Sequence, residues 1–382
     1  MAARALVRRA ATLATLAALL WASGCGLVVK CAGDDQCKRE GAQGRCLPSP
    51  SSAARYCAFE TGGCLAWDPT AGDGLASQCV TTGDGGLPDL GGGDAAVVTP
   101  QRWTYSMPAT GALYAIGGSG GTVVVAGESG SALRRTGMNP WMPILLTMNT
   151  NVHGAWLASP TEVWLAAEDG APRRSTDGAV TFTALANAGA PLRAVSGSGG
   201  DVWLAGDEGT VAHFRNGMSQ AAAGAGDSST LLHGVWAASP DEVFVVGEAG
   251  AIYHTTNGGT AWTSEDGQGE DLYGIWGTAP GDVYAVGVGV ILHRDGSGAW
   301  TAALDNPNDT LLAVWGSGAN DVYAVGFIHG DNDSLILHSI DRGARWTQDD
   351  TGPLQQPLYG AWGSGPKDVY VVGGGGTVLH FP

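Results

Sequence analysis

The stretch that decides the fold lies between residues 272 and 300. It reads Leu272-Tyr-Gly-Ile-Trp276, then Gly281-Asp-Val-Tyr-Ala-Val-Gly287, then Val290-Ile-Leu-His293, and then Asp295-Gly-Ser-Gly-Ala-Trp300. Its apolar segments are short, rich in β-branched and aromatic residues, and separated by glycine and aspartate. Such a pattern is typical of short strands joined by tight turns. The stretch therefore predicts four consecutive strands.

The same four-strand pattern occurs seven times along the chain. The repeats start at Leu113, Val152, Leu192, Leu232, Leu272, Leu311 and Leu358. A period of about 40 residues with four strands per unit indicates the blades of a β-propeller. We therefore expect an all-β chain in which residues 101–382 form a seven-bladed propeller.

The two ends of the repeat region predict how the ring closes. The seventh repeat stops at Thr377–Phe381 and lacks a fourth strand, whereas Gln101–Tyr105 precedes the first repeat and resembles a fourth strand. We expect this N-terminal strand to complete the last blade. Closure of that kind removes both free sheet edges.

Several repeats carry a characteristic turn before the fourth strand. The clearest example is Ser339-Ile-Asp341-Arg-Gly343-Ala-Arg-Trp346, and Thr255–Trp262 is a close variant. Over residues 101–382 the chain resembles propellers of the BNR/Asp-box class, which includes sialidases, sortilin-type receptors and photosystem II assembly factors. The resemblance implies the propeller fold. It does not imply one activity, because such boxes are structural turns.

Residues 1–24 have the pattern of a signal peptide. Basic residues at the start are followed by an apolar run, Ala10–Trp21, and then by Ala22-Ser-Gly24-Cys25. The small residues before Cys25 resemble a bacterial lipobox, which implies lipidation of Cys25. We therefore expect an exported lipoprotein of the outer membrane or cell surface, held to the membrane only through a lipid anchor. Plain secretion is the alternative.

Residues 25–80 contain a cluster of cysteines behind this export signal. Six of them are expected to form three disulfides: Cys31, Cys37, Cys46, Cys57, Cys64 and Cys79. Their pairing stays open. A zinc site is the weaker alternative, because no Cys-x-x-Cys pair and no histidine lie among them. The small module predicted here has few large apolar residues and needs such links to fold.

Short motifs in this module carry a second resemblance. Asp34-Asp35-Gln-Cys37, Gly44-Arg-Cys46 and Tyr56-Cys57-Ala58 are similar to cysteine-rich modules of predicted envelope lipoproteins of myxobacteria. This resemblance covers about fifty residues and implies no activity. Residues 81–100 follow, and their glycine, aspartate and proline content predicts a flexible acidic linker.

The charge of the chain excludes some partners. The formal net charge is −17, and the 382 residues include only three lysines, Lys30, Lys38 and Lys367. Binding to nucleic acid or to an anionic membrane surface needs a basic patch. We therefore expect neither nucleic acid nor direct membrane contact.

When the seven repeats are aligned, one position (one column of the alignment) varies in a way that suggests a binding site. The residue after each repeat start is often large and polar, while the next residue is small. The candidate ligand contacts in this column are Tyr114, His153, Arg193, His233, Tyr273 and Tyr359. Strand one is innermost in propellers, so these side chains are predicted to surround the central channel or its mouth. Packing that fills the channel is the alternative.

Other conspicuous residues are predicted to be structural. Tryptophans fill several repeat columns, which indicates packing between blades. Five histidines share the end of strand three, where neighbouring blades hold them too far apart to share a metal. The insertion Phe327–Ser334 includes Asp331 and Asp333, but their spacing matches no complete calcium loop.

The function predicted from these patterns is non-catalytic binding or scaffolding at the bacterial cell envelope, with a protein or glycan ligand. The chain contains no His-Glu-x-x-His and no complete phosphate-loop motif. No catalytic residue, metal ligand or cofactor is therefore predicted. The alternative is a carbohydrate-active hydrolase or lyase, which would need polar side chains converging at one mouth of the channel.

Overall fold

The computed structural model describes residues 103–330, 332–352 and 354–382 in full, together with the backbone of five strands between residues 38 and 67. The chain divides into two units, Met1–Pro100 and Gln101–Pro382, and each is described by itself. In the described residues, no helix is long and apolar enough to cross a bilayer.

The first unit contains short antiparallel strands. They are β1 (Lys38–Arg39), β2 (Ala42–Gln43), β3 (Arg45–Pro48), β4 (Arg55–Thr61) and β5 (Cys64–Trp67). Strands β1 and β2 form one sheet, and β3, β4 and β5 form another. The predicted disulfide-rich module is not shown, because Cys25 and the six cysteines that follow have side chains outside the described part of the chain.

The second unit is an all-β propeller, and most of its blades have four antiparallel strands. Blade 1 contains β7 (Leu113–Ser119), β8 (Thr122–Gly127), β9 (Ala132–Thr136) and β10 (Met142–Pro143). Blade 2 contains β11 (Val152–Leu157), β12 (Val163–Ala167), β13 (Arg173–Ser175) and β14 (Thr183–Ala184). Blade 3 contains β15 (Leu192–Ser198), β16 (Asp201–Gly206), β17 (Val211–Arg215) and β18 (Met218–Gln220). Blade 4 contains β19 (Leu232–Ala237), β20 (Val243–Gly247), β21 (Ala251–Thr255) and β22 (Thr263–Asp266).

The last two blades differ in size and in the source of their strands. Blade 5 has six strands, β23 (Leu272–Ala279), β24 (Asp282–Arg294), β25 (Trp300–Gly318), β26 (Asp321–Ile328), β27 (Ser334–Ser339) and β28 (Thr347–Gln348). Blade 6 contains β29 (Leu358–Gly365), β30 (Asp368–Gly373), β31 (Val378–Phe381) and, from the start of the unit, β6 (Thr104–Ser106).

The predicted number of seven blades is therefore wrong, because the described strands form six. The fifth and sixth repeats share blade 5. Strand β25 runs without a break from the outer strand of the fifth repeat to the inner strand of the sixth. Its pairing with β24 continues across that junction, with Asp305 opposite Val290 and Thr310 opposite Val288. These backbone hydrogen bonds join two repeats into one sheet.

Packing between neighbouring inner strands holds the ring together. In five repeats, the tryptophan of the inner strand lies over a glycine of the next inner strand. The pairs are Trp156 with Gly197, Trp236 with Gly277, Trp276 with Gly316, Trp315 with Gly363, and Trp362 with Gly118. A Cβ at Gly118 would lie 2.4 Å from Cη2 of Trp362, so only glycine leaves room for the ring. The tryptophans are thus part of the scaffold, as the sequence predicts.

In six of the seven repeats, a glycine of the second strand lies opposite the first residue of the inner strand, as Gly287 does opposite Leu272. At Gly287, a Cβ would lie 1.8 Å from the carbonyl oxygen of Asp271. This oxygen belongs to the connection that enters the inner strand of the same repeat. The close approach lets the amide of Val288 donate a hydrogen bond of 2.9 Å to that oxygen. Glycine at this position therefore leaves room for the connection that enters the inner strand.

The predicted closure by the N-terminal strand is observed. Strand β6 pairs antiparallel with β31, placing Ser106 opposite Val378 and Thr104 opposite His380. Trp103, only 8% exposed, packs against Tyr323 and Phe381 with ring centroids 6.1 and 5.4 Å away. Its indole Nε1 donates a 3.0 Å hydrogen bond to Oδ2 of Asp349. The start of the unit is thus bound to blades 5 and 6.

A half-buried carboxylate links blades 4 and 5. Glu265 in β22 accepts hydrogen bonds from Arg294 Nε at 3.1 Å and from Trp300 Nε1 at 2.6 Å. His254 Nδ1 lies 3.1 Å from its other oxygen. Burial alone would raise the pKa of Glu265, but the hydrogen bonds from His254, Arg294 and Trp300 outweigh it and lower the pKa to about 2.

The closing strand gives a first test. We expect Trp103→Ala to lower the free energy of unfolding by about 3 kcal/mol, because a large buried ring and its hydrogen bond are lost. The whole propeller should melt in one transition at a lower temperature. Tyr105→Ala is the matched control, since Tyr105 lies in the same segment but is 67% exposed. A thermal melt of Trp103→Ala that matches the parent would contradict closure by this strand.

Glu265 gives a second test, based on pH. Its pKa is about 2 in the folded chain against an ordinary value of 4.5. The ionised carboxylate therefore stabilises the fold above pH 4.5, and this contribution is lost as the pH falls toward 2. We expect Glu265→Gln to cost about 2 kcal/mol at neutral pH. The difference from the parent should shrink in denaturant melts below pH 4.5.

Glu270→Gln is the control for this experiment, because Glu270 lies just beyond the same strand and is exposed. It should unfold like the parent at every pH. A Glu265→Gln penalty that stays constant from pH 7 to pH 3 would show that the carboxylate charge does not stabilise the link.

Candidate functional site

The predicted ligand column lies at one end of the central channel. In every inner strand the pairing register shifts at this position, as between Leu272 and Gly274, so that the residue between them has no ladder partner. A bulge of this kind re-aims a side chain away from the regular alternation. The bulge residues are Tyr114, His153, Arg193, His233, Tyr273, Leu312 and Tyr359, and all seven line one cavity of about 170 Å³.

Small residues next to the bulges let the inner strands approach each other. A Cβ at Gly274 would lie 2.9 Å from Cα of Ala313, and a Cβ at Gly154 would lie 2.9 Å from the backbone nitrogen of Val195. The narrow ring therefore requires glycine or alanine after each bulge. The column was predicted to surround the channel or its mouth, and the geometry places it there. Its role in binding a ligand stays a prediction.

Aromatic rings form two groups in the cavity. Tyr114 stacks on His153 with ring centroids 5.4 Å apart, and meets Tyr359 edge to face at 5.1 Å. Tyr273 lies next to His233, with centroids 5.2 Å apart. Burial raises the pKa of all three tyrosines, and nearby carboxylates add to this effect. These phenols are therefore neutral hydrogen-bonding groups at physiological pH.

Arg193 comes between His153 and His233 in the order of the repeats, and two carboxylates hold its side chain. Its Nε and Nη2 donate to Asp207 at 2.9 and 2.8 Å, and its Nη1 donates to Glu168 at 3.4 Å. The hydrogen bonds to Asp207 raise the pKa of Arg193. Nη1 also lies 3.2 Å from Nε2 of His153. A guanidinium can only donate, so this Nε2 accepts and His153 carries its proton on Nδ1.

Both histidines of the cavity are uncharged at neutral pH. Burial, followed by the charge of Arg193, lowers the pKa of His153, and burial lowers the pKa of His233. The Nε2 atom of His233 is completely buried and has no hydrogen-bond partner. Glu248 Oε1 lies 3.5 Å away but is not aligned for a hydrogen bond. This nitrogen therefore lies beneath the cavity wall, next to Glu248, without a hydrogen bond.

A set of carboxylates at this mouth was missed by the sequence analysis. We call the side chains of Glu128, Glu168, Asp207 and Glu248 the acidic arc. Each follows the last residue of the second strand in one of the first four repeats, and the other three repeats have Val288, Phe327 and Gly374 there. The sequence contains a signal for this set, because each of the four carboxylates directly follows the glycine or alanine that ends the second strand in the aligned repeats. The mouth therefore has an acidic side and a less polar side.

The opposite end of the propeller carries a different set of polar residues. Five histidines of strand three each lie 2.6 to 3.1 Å from a carboxylate that opens strand two. The pairs are His213 with Asp201, His254 with Glu242, His293 with Asp282, His338 with Asp321, and His380 with Asp368. Each imidazole also stacks on an aromatic ring of strand two, with centroids 3.8 to 4.3 Å apart.

These pairs are structural, which agrees with the prediction for the histidine column. In the second repeat, Arg174 takes the place of histidine and donates to Glu162 at 2.9 Å. Thr278 donates to the oxygen of Asp282 that does not contact His293. The carboxylate thus lies between hydroxyl and imidazole, whereas a catalytic triad needs the imidazole next to the hydroxyl. Among the described residues, no group of three His, Cys, Asp or Glu side chains could hold a metal ion.

The turns before the outer strands are closed by side chains. In one of them, Oγ of Ser339 accepts from the amide of Gly343 at 2.9 Å, and Oδ1 of Asp341 accepts from the amide of Arg345 at 2.9 Å. The turns at Ser175 and Thr255 have equivalent bonds. These hydrogen bonds fix the hairpins at the end of the propeller opposite the acidic arc.

Three further sequence predictions fall partly or wholly outside the described residues. Two of them are the lipidation site at Cys25 and the six disulfide cysteines. In the insertion Phe327–Ser334, Asp331 is not described. His329, in the described part, contacts Oγ1 of Thr310 at 2.5 Å, which holds the insertion against the start of the sixth repeat.

Solved structures share this fold. The structure "YCF48 bound to D1 peptide" is 18% identical with a TM-score of 0.61, over 73% of this chain and 94% of that one. YCF48 from Cyanidioschyzon merolae is 15% identical (TM-score 0.59, 73% and 98% covered), and the WD40 propeller domain of Doa1 is 13% identical (TM-score 0.59, 73% and 97% covered). No protein-family model and no curated protein sequence matches the chain. At these identities the likeness establishes the β-propeller fold.

The histidine–carboxylate pairs give a third test. Asp282 is 3% exposed and contacts Thr278, His293 and Arg342. We expect Asp282→Ala to lower the free energy of unfolding by about 3 kcal/mol, because it leaves buried partners unpaired. Asp282→Asn keeps an acceptor and should cost less. Asp305→Ala is the control at an exposed position of the same blade. An Asp282→Ala variant as stable as this control would refute a structural role.

Proposed function

We propose that this protein is a non-catalytic binding propeller, which holds a protein partner at the bacterial cell envelope against the mouth of its channel. One observation carries the proposal. All seven inner strands place a bulged side chain at this mouth, and those side chains differ from repeat to repeat. The residues that recur in the repeats are buried scaffold. A scaffold with one variable polar end is what a specific binding surface requires.

The comparison structures support a protein as the ligand. One of the similar propellers is described as bound to a D1 peptide, and another structure that matches is a mitotic checkpoint complex. Those descriptions concern those proteins. They favour a protein over a glycan here, because one of these structures is described as bound to a peptide and the other as a complex. A glycan is the other ligand that the sequence leaves open.

The envelope location rests on the N-terminal residues. We propose that residues 1–24 direct export, that Cys25 carries the lipid anchor, and that residues 25–80 form a disulfide-linked module. Residues 81–100 would then connect this module to the propeller as a flexible linker. We also assign the hydrogen-bonded turns at Ser175, Thr255 and Ser339 to the BNR/Asp-box class. A globomycin-sensitive shift in mass, lost in Cys25→Ser, tests the lipid anchor.

The alternative is a carbohydrate-active hydrolase or lyase. Its supporting observation is that the carboxylates of Glu168 and Asp207 come together at the mouth of the channel. Both, however, are hydrogen bonded to Arg193. A glycosidase needs one carboxyl that donates a proton and another that attacks or activates water. Release of reducing sugar from envelope polysaccharide, abolished in Asp207→Asn, would favour the enzyme.

Photocrosslinking from the two ends of the propeller tests the proposed docking face. In the full chain, p-benzoylphenylalanine replaces Phe327, which lies on the mouth side, or Ile340, which is 73% exposed at the opposite end. We expect a discrete protein adduct from position 327 in envelope extract and none from position 340. Tyr273→Ala should reduce the adduct several-fold. Equal adducts from both ends, or adducts only from 340, would refute the mouth as the docking face.

A further inference from the structure

We propose that the channel mouth receives a lysine or arginine side chain of the partner, inserted between the acidic arc and the channel tyrosines. This inference rests on the proposed protein-binding function and specifies its ligand chemistry. It starts from the cavity of about 170 Å³, which holds one long side chain but no helix or strand of a partner.

The charge at the mouth favours a cation. The acidic arc contributes four carboxylates, and Asp271 lies close enough to raise the pKa of Tyr273 together with Glu248. Arg193 is the one basic side chain among the residues that line the cavity. Its guanidinium is shared between Asp207 and Glu168, and both cavity histidines are neutral. The negative charge of Glu128, Glu248 and Asp271 is therefore not balanced by a cation in the cavity.

Glu248 lies next to the cavity wall. Its Oε1 atom is 3.5 Å from Nε2 of His233, whose side chain lines the cavity beside Tyr273. The Nε2 atom itself is buried, and no hydrogen bond joins it to the carboxylate. Since His233 is neutral, an ammonium or guanidinium group that enters beside Tyr273 would supply the cation that the Glu248 carboxylate lacks.

The tyrosines suit the same group. A cation above the face of a tyrosine ring is attracted by the ring quadrupole, and this attraction grows when water is excluded. Tyr114, Tyr273 and Tyr359 surround the cavity, and Tyr114 and Tyr359 already pack against each other. Their rings can thus replace part of the water that a lysine or arginine side chain loses on entry.

The less polar side of the mouth favours an apolar residue of the partner beside its lysine or arginine. Val288, Phe327 and Gly374 replace carboxylates there, and Leu312 lines the adjoining wall of the cavity. We therefore expect a basic side chain flanked by an apolar one. A string of basic residues fits this surface less well, because only four of the seven repeats contribute to the acidic arc.

Defined peptides test this inference with the full chain. The probe is acetyl-Gly-Leu-Lys-Leu-Gly-amide, compared with the same peptide containing norleucine in place of lysine, by isothermal titration calorimetry. We expect the lysine peptide to bind at least tenfold more tightly, and its affinity to fall as salt is raised. Glu248→Gln and Glu128→Gln should each weaken binding of the lysine peptide about fivefold. Thermal melts of both variants confirm that they fold.

Asp241→Asn is the matched control, because it removes one negative charge from an exposed position at the opposite end of the propeller. It should bind the lysine peptide like the parent. Equal affinity for the lysine and norleucine peptides, or no effect of Glu248→Gln and Glu128→Gln, would overturn the inference. No binding of either peptide would also overturn it, and the photocrosslinking result would still decide the proposed function separately.

A free polyamine carries the same ammonium groups as a lysine side chain and would compete for the same cavity. Spermidine should displace the lysine peptide only at concentrations well above those of the peptide itself. Displacement at lower concentrations, lost in Glu248→Gln, would show that the site takes a small cation and would overturn the assignment to a partner side chain.

Discussion

The hydrogen bonds between β6 and β31 are the constraint on which the rest of the structure depends. Each sheet of the ring packs only against its two neighbours, so the first and last repeats must meet. Strand β6 supplies the missing outer strand, and Trp362 lies over Gly118 where the last inner strand meets the first. This closure fixes the radius of the ring, that is, the distance between the inner strands and the axis of the channel. The radius in turn sets the size of the channel and brings its seven bulge residues together.

The two ends of the ring have different physical roles. At one end, a histidine paired with a carboxylate and stacked on an aromatic ring stabilises five of the seven repeats, as His293 and Asp282 do. At the other end, a β-bulge frees one side chain per repeat from the sheet and directs it to the channel. The scaffold can therefore be the same in every repeat while the bulge residue changes from Tyr273 to Arg193 or His233. This separation allows a binding surface to vary without loss of the fold.

The sequence predicted the propeller, its closure and the channel column, because these depend on periodicity and on the ends of the repeats. It did not predict six blades. Asn306–Asp309 contains turn-forming residues, yet β25 continues through it, and Asn306 bonds to the side chain of Asp309 at 2.8 Å. The pairing of His293 with Asp282 depends on register across two strands, which spacing alone does not fix. The acidic arc was missed because its members are about forty residues apart and meet only when the ring closes.

The central claim is that the mouth lined by the bulge residues and the acidic arc is where a partner binds. Hydrogen–deuterium exchange of the full chain, with and without the lysine peptide, tests it most directly. The account predicts slower exchange in the turns after the second strands, at residues 128–130 and 248–250, and no change in the turns at 175–179 and 339–343. Protection confined to the latter turns, or no protection at either end, would contradict it.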